Sequence, residues 1–599
     1  MKKEHFIKYM RKYAVGIAVL LIALISWYQL EISTDYVTPL ECLNMEAQYI
    51  ILNACTNMVI VSGFVILLNR VWKGCLAYTI FSFLMSIINY YVIQFHGMPF
   101  TFAELKNIKT AANVLGAYRL EIDKWVAYIV FIFIVLLLIC FLCKSLEKGI
   151  ELSVRKAVIR DFVLLLLDGF VIYVGYLSPN AIKPQNTIKF SWTEAYHTYG
   201  FTACTIEKTM QSFFIVDRPE GYTEDKILKF PIPVEEKSRE ETPDIILILN
   251  ESFYDLRQIT DIETNIPYME HIDEMENTIR GYTVAPEVGG GTNSSEYELL
   301  TSNSLQMMQG ITPFNVLKMK GANSIVFHLK QLGYTTAAAH SEKASNYSRV
   351  DAYPDMGFEN TYFDTDFADK EYYATRGFAT DESLYKNMIS WYEDMEEDKP
   401  RFMYLLTIQN HGGWEQTKED SYIVKAMNDY GDLQGQINEY LTGIYMTDNA
   451  FSELTEYFEN VEREVVICMA GDHSPSFVWD IANGNYENGM LMRLRSTPFI
   501  IWANYDIEDE NAGYIGMNYL FPLLLDKMNI EVSPYYQYMI DLHKKVPVLT
   551  DYNVYMDFVY NEHTYDEINE YTEMINNYFY LEYHNLQKER RQELFNAYG

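Results

Sequence analysis

The hydrophobic positions fall into two regimes. Over the first third of the chain they form long unbroken runs: Tyr13–Leu30, Ile51–Asn69, Cys75–Phe95, Val126–Cys143 and Phe162–Leu177. Each is close to the ~20 apolar residues that a helix needs to cross a bilayer. The first run is too long for a cleaved signal peptide, lacks a small-residue cleavage site, and is followed by four more. Five transmembrane helices are therefore expected. From Asp244 the runs shorten and alternate with helical segments. Ile245–Leu249 ends in Asn250-Glu251. Ser324–Leu332 has a helical pattern and leads into Tyr334–Ala339, which ends in His340. Phe402–Ile408 ends in Gln409-Asn410-His411, Val465–Ala470 ends in Gly471-Asp472-His473, and Pro498–Ala503 is a further strand. Short buried strands alternating with helices predict an α/β domain, a mostly parallel sheet covered by helices. In such a fold a site forms beyond the carboxyl ends of strands. Glu251, His340, His411, Asp472 and His473 all fall there.

The pattern divides the 599 residues, too many for one core, into four parts. These are a five-helix transmembrane domain at 1–178, a connector at 179–242, the α/β domain at 243–549 and a helical tail at 550–599. The connector holds aromatic-rich Phe190–Tyr199, a helix near Cys204–Phe214 and the charged stretch Glu235–Pro243. Its helix would lie on a membrane surface or pack on the next domain. In the tail, Glu567–Leu581 reads as a docked helix, with Lys588–Arg591 near the end.

Charge adds orientation. Residues 1–178 carry 16 basic and 12 acidic side chains, a net of +4 against −34 for the chain, which leaves −38 on the remainder. So acidic a surface argues against nucleic acid as a partner. Lys2, Lys3, Lys8, Arg11 and Lys12 precede the first span. Arg70 and Lys73 sit in the second loop, and Lys144, Lys148, Arg155, Lys156 and Arg160 in the fourth. The first loop, Glu31–Tyr49, has no Lys or Arg. By the positive-inside bias the N-terminus is inside, and five crossings put everything after about residue 178 outside the cell membrane. Asp168 lies within the fifth span and takes no role from the sequence. The seven cysteines make no disulfide framework.

The stretch Glu287-Val-Gly-Gly-Gly-Thr292-Asn-Ser-Ser-Glu296 is the first candidate for chemistry. Three glycines let backbone approach a substrate closely. Asn293, Ser294 and Ser295 are good helix caps, with Glu296–Leu300 as the first turn. The Thr292 hydroxyl then sits at a helix N-terminus, a place that favours anions such as phosphate. Glu251, Asp472, His473 and a Thr292 oxygen make an oxygen-rich set suited to Mn²⁺, Mg²⁺ or Zn²⁺. A metal-bound hydroxyl is a better nucleophile, directed at a phosphoryl or sulfuryl centre. Arg349 offers a planar fork for phosphate oxygens, or else a salt bridge. His411 offers a proton donor or acceptor.

Five spans and an outer domain carrying Asn250-Glu251-Ser252-Phe253, Gly-Gly-Thr292, Asn410-His411-Gly412 and Gly471-Asp472-His473-Ser474 resemble the lipoteichoic acid synthase family. That family belongs to the alkaline phosphatase/sulfatase superfamily, and the resemblance includes Gly221-Tyr222-Thr223 of the connector. It implies one Mn²⁺ held by Glu251, Thr292, Asp472 and His473, with Thr292 as nucleophile. It implies that Arg349 and His411 contact glycerol phosphate, with Tyr347 where the family usually has Trp. The Cys-x-Pro-x-Arg motif of formylglycine sulfatases is absent, which speaks against sulfate-ester hydrolysis. The implied reaction moves glycerol phosphate from phosphatidylglycerol to a glycolipid or a growing polyglycerolphosphate chain at the cell surface. The alternatives are a phosphoethanolamine or other phosphoglycerol transferase acting on a surface glycan or lipid, and an inactive membrane sensor with the same fold.

Overall fold

A computed structural model describes residues 2–586 and 595, apart from 35–37, 97–98, 101–121, 149, 151–152, 179, 183–191, 214–215, 229–233, 235–236, 238–241, 318, 345, 369, 374–375, 415–420, 485–488 and 551. The basic cluster Lys588–Arg591, the third inter-span loop and most of Glu235–Pro243 lie outside the described residues. The described residues form two compact units, one up to Phe213 and one after it.

The first unit is helical: α1 (Lys2–Glu31), α2 (Ala47–Leu68), α3 (Val71–His96), α4 (Lys124–Glu147), α5 (Val154–Ile172), α6 (Trp192–Tyr199) and α7 (Phe201–Phe213). Among the described residues, four segments, Tyr9–Glu31, Ala47–Leu68, Val71–Gln94 and Lys124–Glu147, are long and apolar enough to cross a membrane. The fifth expected span forms α5, continued by a π-helical turn over Tyr173–Leu177. Arg155, Lys156, Arg160 and Asp161 in its first half keep it below that standard. Ile22, Val61, Tyr78 and Ile129 form the bundle core. Polar side chains pair across its helices: buried Gln29 donates to the Ile129 carbonyl at 2.8 Å, and half-buried Asp168 accepts from Ser62. The connector helix α7 belongs to this unit. Glu31 and Asn53 accept from its first turn, at the Phe201 and Ala203 N–H groups.

The second unit is built on an eight-stranded sheet of β1 (Asp244–Asn250), β2 (Thr278–Val284), β3 (Thr335–His340), β4 (Asn360–Tyr362), β5 (Arg401–Leu406), β6 (Val465–Gly471), β7 (Ser496–Ala503) and β8 (Glu510–Gly516). The strand order is β4-β3-β5-β1-β6-β7-β2-β8. All pairs are parallel except those of β7, which runs antiparallel to β6 and β2. The Pro498–Ala503 run is thus a strand of reversed direction, and its carboxyl end points away from the site edge. Central β1 shows why its sequence is continuously apolar. Ile245, Leu247 and Leu249 enter the core on one face, Ile246 and Ile248 the core on the other. Helices α8 (Thr292–Thr301), α9 (Ile325–Gln331) and α10 (Arg349–Met356) pack on the first face, α11 (Asp381–Glu393) and α12 (Gln434–Glu459) on the second. The tail is not purely helical. Three short strands, Val548–Leu549, Val554–Met556 and Glu562–Thr564, form an antiparallel sheet before the helix Thr572–Asn585.

Candidate active site

The site is assembled where β1, β2 and β6 end. Beyond β1 the chain turns at Ser252, at φ 49°, and passes over the end of β6. That passage requires Gly471, since a Cβ there would stand 2.0 Å from the Phe253 carbonyl oxygen. Glu251 is thereby set beside Asp472 and His473. The loop leaving β2 ends in Gly291, whose φ of +82° forms the N-cap of α8. The cap is backbone: no side chain closes it. Asn293, Ser294 and Ser295, expected as caps, lie inside the helix and bond outward. Asn293 accepts from the Phe314 N–H at 3.1 Å, Ser294 donates to Glu287 at 3.3 Å, and Ser295 donates to the Asp472 carbonyl at 2.5 Å. The Ser294 bond ties α8 to its own leading loop, and the Ser295 bond ties it to the end of β6.

Thr292, the first residue of α8, donates from Oγ1 to Glu251 Oε2 at 3.4 Å. Glu251 Oε1 accepts from the Ser252 hydroxyl at 3.0 Å. Asp472 Oδ1 takes two backbone N–H groups, Ser252 at 2.7 Å and His473 at 2.8 Å. Its Oδ2 is buried with no hydrogen-bond partner, and so is His473 Nε2. These two atoms are 3.2 Å apart, and His473 Nε2 is 3.6 Å from Glu251 Oε1. His473 Nδ1 faces the Ser474 carbonyl at 3.1 Å. A carbonyl only accepts, so Nδ1 carries the proton and Nε2 turns its lone pair inward. Burial pushes the Glu251 carboxyl well above its usual range, and the Asp472 charge pushes it further. Burial raises Asp472 too. Two buried carboxylates and an inward lone pair with nothing to bind are costly by themselves. A divalent cation reverses that balance. Glu251, Asp472 and His473 have one ligand atom each within 4.8 Å of one another. The donor set and its orphaned buried atoms thus fit a metal ion.

Of the expected site residues, the structure joins Glu251, Thr292, Asp472 and His473 directly. The charges of Arg349 and His411 both act on His340 at the end of β3, and that of Arg349 also acts on Glu251. Burial drives the His340 imidazole well below its ordinary value, followed by the Arg349 charge, with His411 adding to it. Its Nδ1 donates to the Leu406 carbonyl at 3.0 Å. Arg349 is engaged within the protein. It is 2% exposed and donates from Nε and Nη2 to Glu296 Oε2 at 2.9 and 2.6 Å. The salt-bridge alternative is the observed one, but buried rather than at the surface. Tyr353 donates to the other Glu296 oxygen at 2.5 Å. Tyr347, at φ 53°, lays its ring 4.9 Å from the Arg349 guanidinium. Glu296 is the residue that the sequence argument passed over. The available signal was a glutamate one turn after Thr292, on the same side of a helix.

Residues 243–530 match the family model for sulfatases. A putative cyclic beta-1,2-glucan modification protein of Rhizobium meliloti (strain 1021) is 27% identical over 407 residues, covering 64% of this chain and 62% of that protein. The chain spans between about two fifths and three fifths of the length of the curated relatives it matches. Among solved structures, the fold is similar to that of the Streptococcus pyogenes phosphoglycerol transferase GacH, in complex with sn-glycerol-1-phosphate. The TM-score is 0.52 at 19% identity, over 62% of this chain and 95% of that one. It is also similar to the integral membrane lipooligosaccharide phosphoethanolamine transferase EptA from Neisseria meningitidis, with TM-score 0.51 at 12% identity, over 86% and 95%. Residues 243–530 are therefore a sulfatase-type domain, whose fold is shared with GacH and EptA.

Proposed function

We propose that the sulfatase domain transfers a phosphoglycerol group from phosphatidylglycerol to an acceptor hydroxyl, with Thr292 as the nucleophile. The observation that carries this reading is the Thr292 hydroxyl at the N-terminus of α8, 3.4 Å from Glu251, which itself lies 3.6 Å from the unpartnered His473 Nε2. Glu251, Asp472, His473 and the Thr292 oxygen would hold one divalent cation, Mn²⁺ or else Mg²⁺ or Zn²⁺. Such an ion, when bound, favours the alkoxide form of the threonine. Thr292 Oγ1 attacks phosphorus, the bond from phosphorus to the diacylglycerol oxygen breaks, and His411 supplies the leaving oxygen with a proton. In the second half the acceptor hydroxyl gives its proton to His411 and attacks phosphorus, freeing Thr292. Arg349, its Nε–Nη2 edge bound to Glu296, contributes positive charge beside the phosphate, and Tyr347 borders the headgroup.

The donor is a lipid, which suits a chain with membrane-length helices. The Lys/Arg bias places the N-terminus inside and the sulfatase domain outside. This orientation needs α5 as a fifth crossing. With its π-helical turn it covers residues 154–177, of which the apolar stretch from Phe162 to Leu177 gives about 24 Å at helical rise against a ~30 Å core, so the crossing requires Arg155, Lys156 and Arg160 to reach the headgroups at its inner end. The phosphoglycerol headgroup is supported by the likeness to GacH. The acceptor reading splits. Polyglycerolphosphate, as in lipoteichoic acid synthesis, follows from the sequence motifs. A surface glycan is favoured by the match to a glucan modification protein. Mass spectrometry of the protein quenched during turnover on phosphatidylglycerol tests the centre of the proposal. A phosphoglycerol adduct on the Thr292 peptide, absent from Thr292→Ala, is expected. A phosphoethanolamine adduct from mixed lipids would reassign the donor, and an unmodified Thr292 under trapping conditions would remove it as nucleophile.

A further inference from the structure

We propose that Arg376 is the positioning residue for His411, an inference that rests on the proton transfer assigned to His411 above. Arg376 precedes α11 and belongs to none of the sequence motifs. Its side chain is 1% exposed and is paired, Nε to Glu439 Oε1 at 3.2 Å, with a carboxylate of α12 that is fully buried. Its remaining nitrogens hold backbone. Nη1 donates to the Gln409 carbonyl at 3.3 Å, and Nη2 to the carbonyls of His411 and of Gly412, the latter at 3.3 Å. The guanidinium is ringed by Tyr373, Phe378 and Trp414, with centroids at 5.8, 5.5 and 5.7 Å. Phe378 also packs against the His411 imidazole at 5.3 Å. One buried cation therefore fixes both the backbone of His411 and the ring on which its imidazole rests.

Stability alone does not call for this arrangement, because a buried ion pair is commonly replaceable by apolar side chains. A planar fork gathering carbonyls from three residues of one loop sets that loop's conformation instead. The loop is tied on its other side to the metal-site strand. Gln409 and Asn410 both donate to the Thr447 hydroxyl, at 3.1 and 2.9 Å, and Thr447 donates to Asp381 at 2.7 Å. Asp381 also accepts from Asn250, the neighbour of Glu251, at 3.0 Å. The imidazole is thus registered against the end of β1 through bonds that Arg376 completes.

The test uses the full chain in mixed micelles with phosphatidylglycerol, reading diacylglycerol release for Arg376→Lys, His411→Ala and the double variant. Lysine keeps the charge facing Glu439 but cannot serve carbonyls in several directions. We expect kcat for Arg376→Lys to fall about ten- to a hundredfold, with KM changed by less than about twofold. In the His411→Ala background the same change should cost nothing further. Thr447→Val, which loosens the loop from the opposite side, should show the same non-additivity and serves if Arg376→Lys does not fold. Losses that multiply with that of His411→Ala in both cases would overturn the positioning role while leaving the role of His411 intact. Full turnover by His411→Ala would overturn the assignment of His411, and this inference with it.

Discussion

Replacing Glu296 by glutamine probes the contact between the nucleophile helix and Arg349. Glu296 is fully buried and accepts three hydrogen bonds, two from Arg349 and one from Tyr353. Glutamine keeps the shape and one acceptor oxygen, but it leaves the buried guanidinium without a counter-charge. Its amide NH₂ must also face a donor. Breaking a buried pair by removing one partner costs about 3–5 kcal/mol, and the retained oxygen puts Glu296→Gln near ~3 kcal/mol. At roughly 2 °C per kcal/mol, the low end of the scale for large domains, the unfolding midpoint of the sulfatase domain should fall about 6 °C. Calorimetry of the purified protein reads this directly. The second arm is Glu296→Gln/Arg349→Met. Removing the stranded charge should recover about half of the loss, since the single variant's cost is mainly that of an unpaired buried cation. An unchanged midpoint in Glu296→Gln, or a double variant whose loss equals the sum of both singles, would refute the account.

Metal binding makes a separate expectation: Glu251→Ala and His473→Ala should each lose one equivalent of divalent metal by elemental analysis, and unchanged metal in both would dismantle the site. His328 carries a pH expectation. Burial pushes its imidazole down to about 4, and its Nε2 donates to the Glu531 carbonyl at 2.9 Å. The unfolded chain, with an ordinary value near 6.5, binds the proton first, so stability is intact above pH ~6.5 and declines as pH falls towards 4, by on the order of 3 kcal/mol. His328→Gln should flatten the unfolding free energy over that window by about one proton, and an unaltered slope would count against the buried neutral imidazole.

The parts of this molecule that could be read from the chain are those governed by local pattern. Ile245–Leu249 is apolar at every position because β1 is buried on both faces, and that also identified Glu251 as a strand-end residue. The same logic placed Asp472 and His473. It found β7 but not its direction, because a buried antiparallel strand has the same composition as a parallel one and direction is set by pairing. The tail strands, two or three residues each, are too short to show a period. The pairing of Arg349 with Glu296 joins residues 53 positions apart and has no local signature. Arg376 was invisible for the same reason, since its partners Gln409, His411, Gly412 and Glu439 come together only in the folded domain.

Helix α8 shows why the remaining miss fell where it did. Its sequence, Thr292-Asn-Ser-Ser-Glu-Tyr-Glu-Leu-Leu-Thr301, is mostly polar, yet all ten residues are buried. A stability-driven helix would bury an apolar stripe and leave the polar residues to water. Here each buried polar group costs free energy unless it is bonded, and most of the bonds run to other elements. Thr292 reaches Glu251, Asn293 the Phe314 N–H, Ser294 Glu287, Ser295 the Asp472 carbonyl, and Glu296 Arg349. Reading Asn293-Ser294-Ser295 as caps applied a rule for exposed helix ends to an end that is enclosed. Such a conflict between local preference and observed placement is characteristic of sites selected for chemistry. The same bonds that violate the pattern hold the Thr292 hydroxyl 3.4 Å from Glu251, whose carboxylate is grouped with Asp472 and His473, a geometry that a conventionally capped, solvent-facing helix would leave loose.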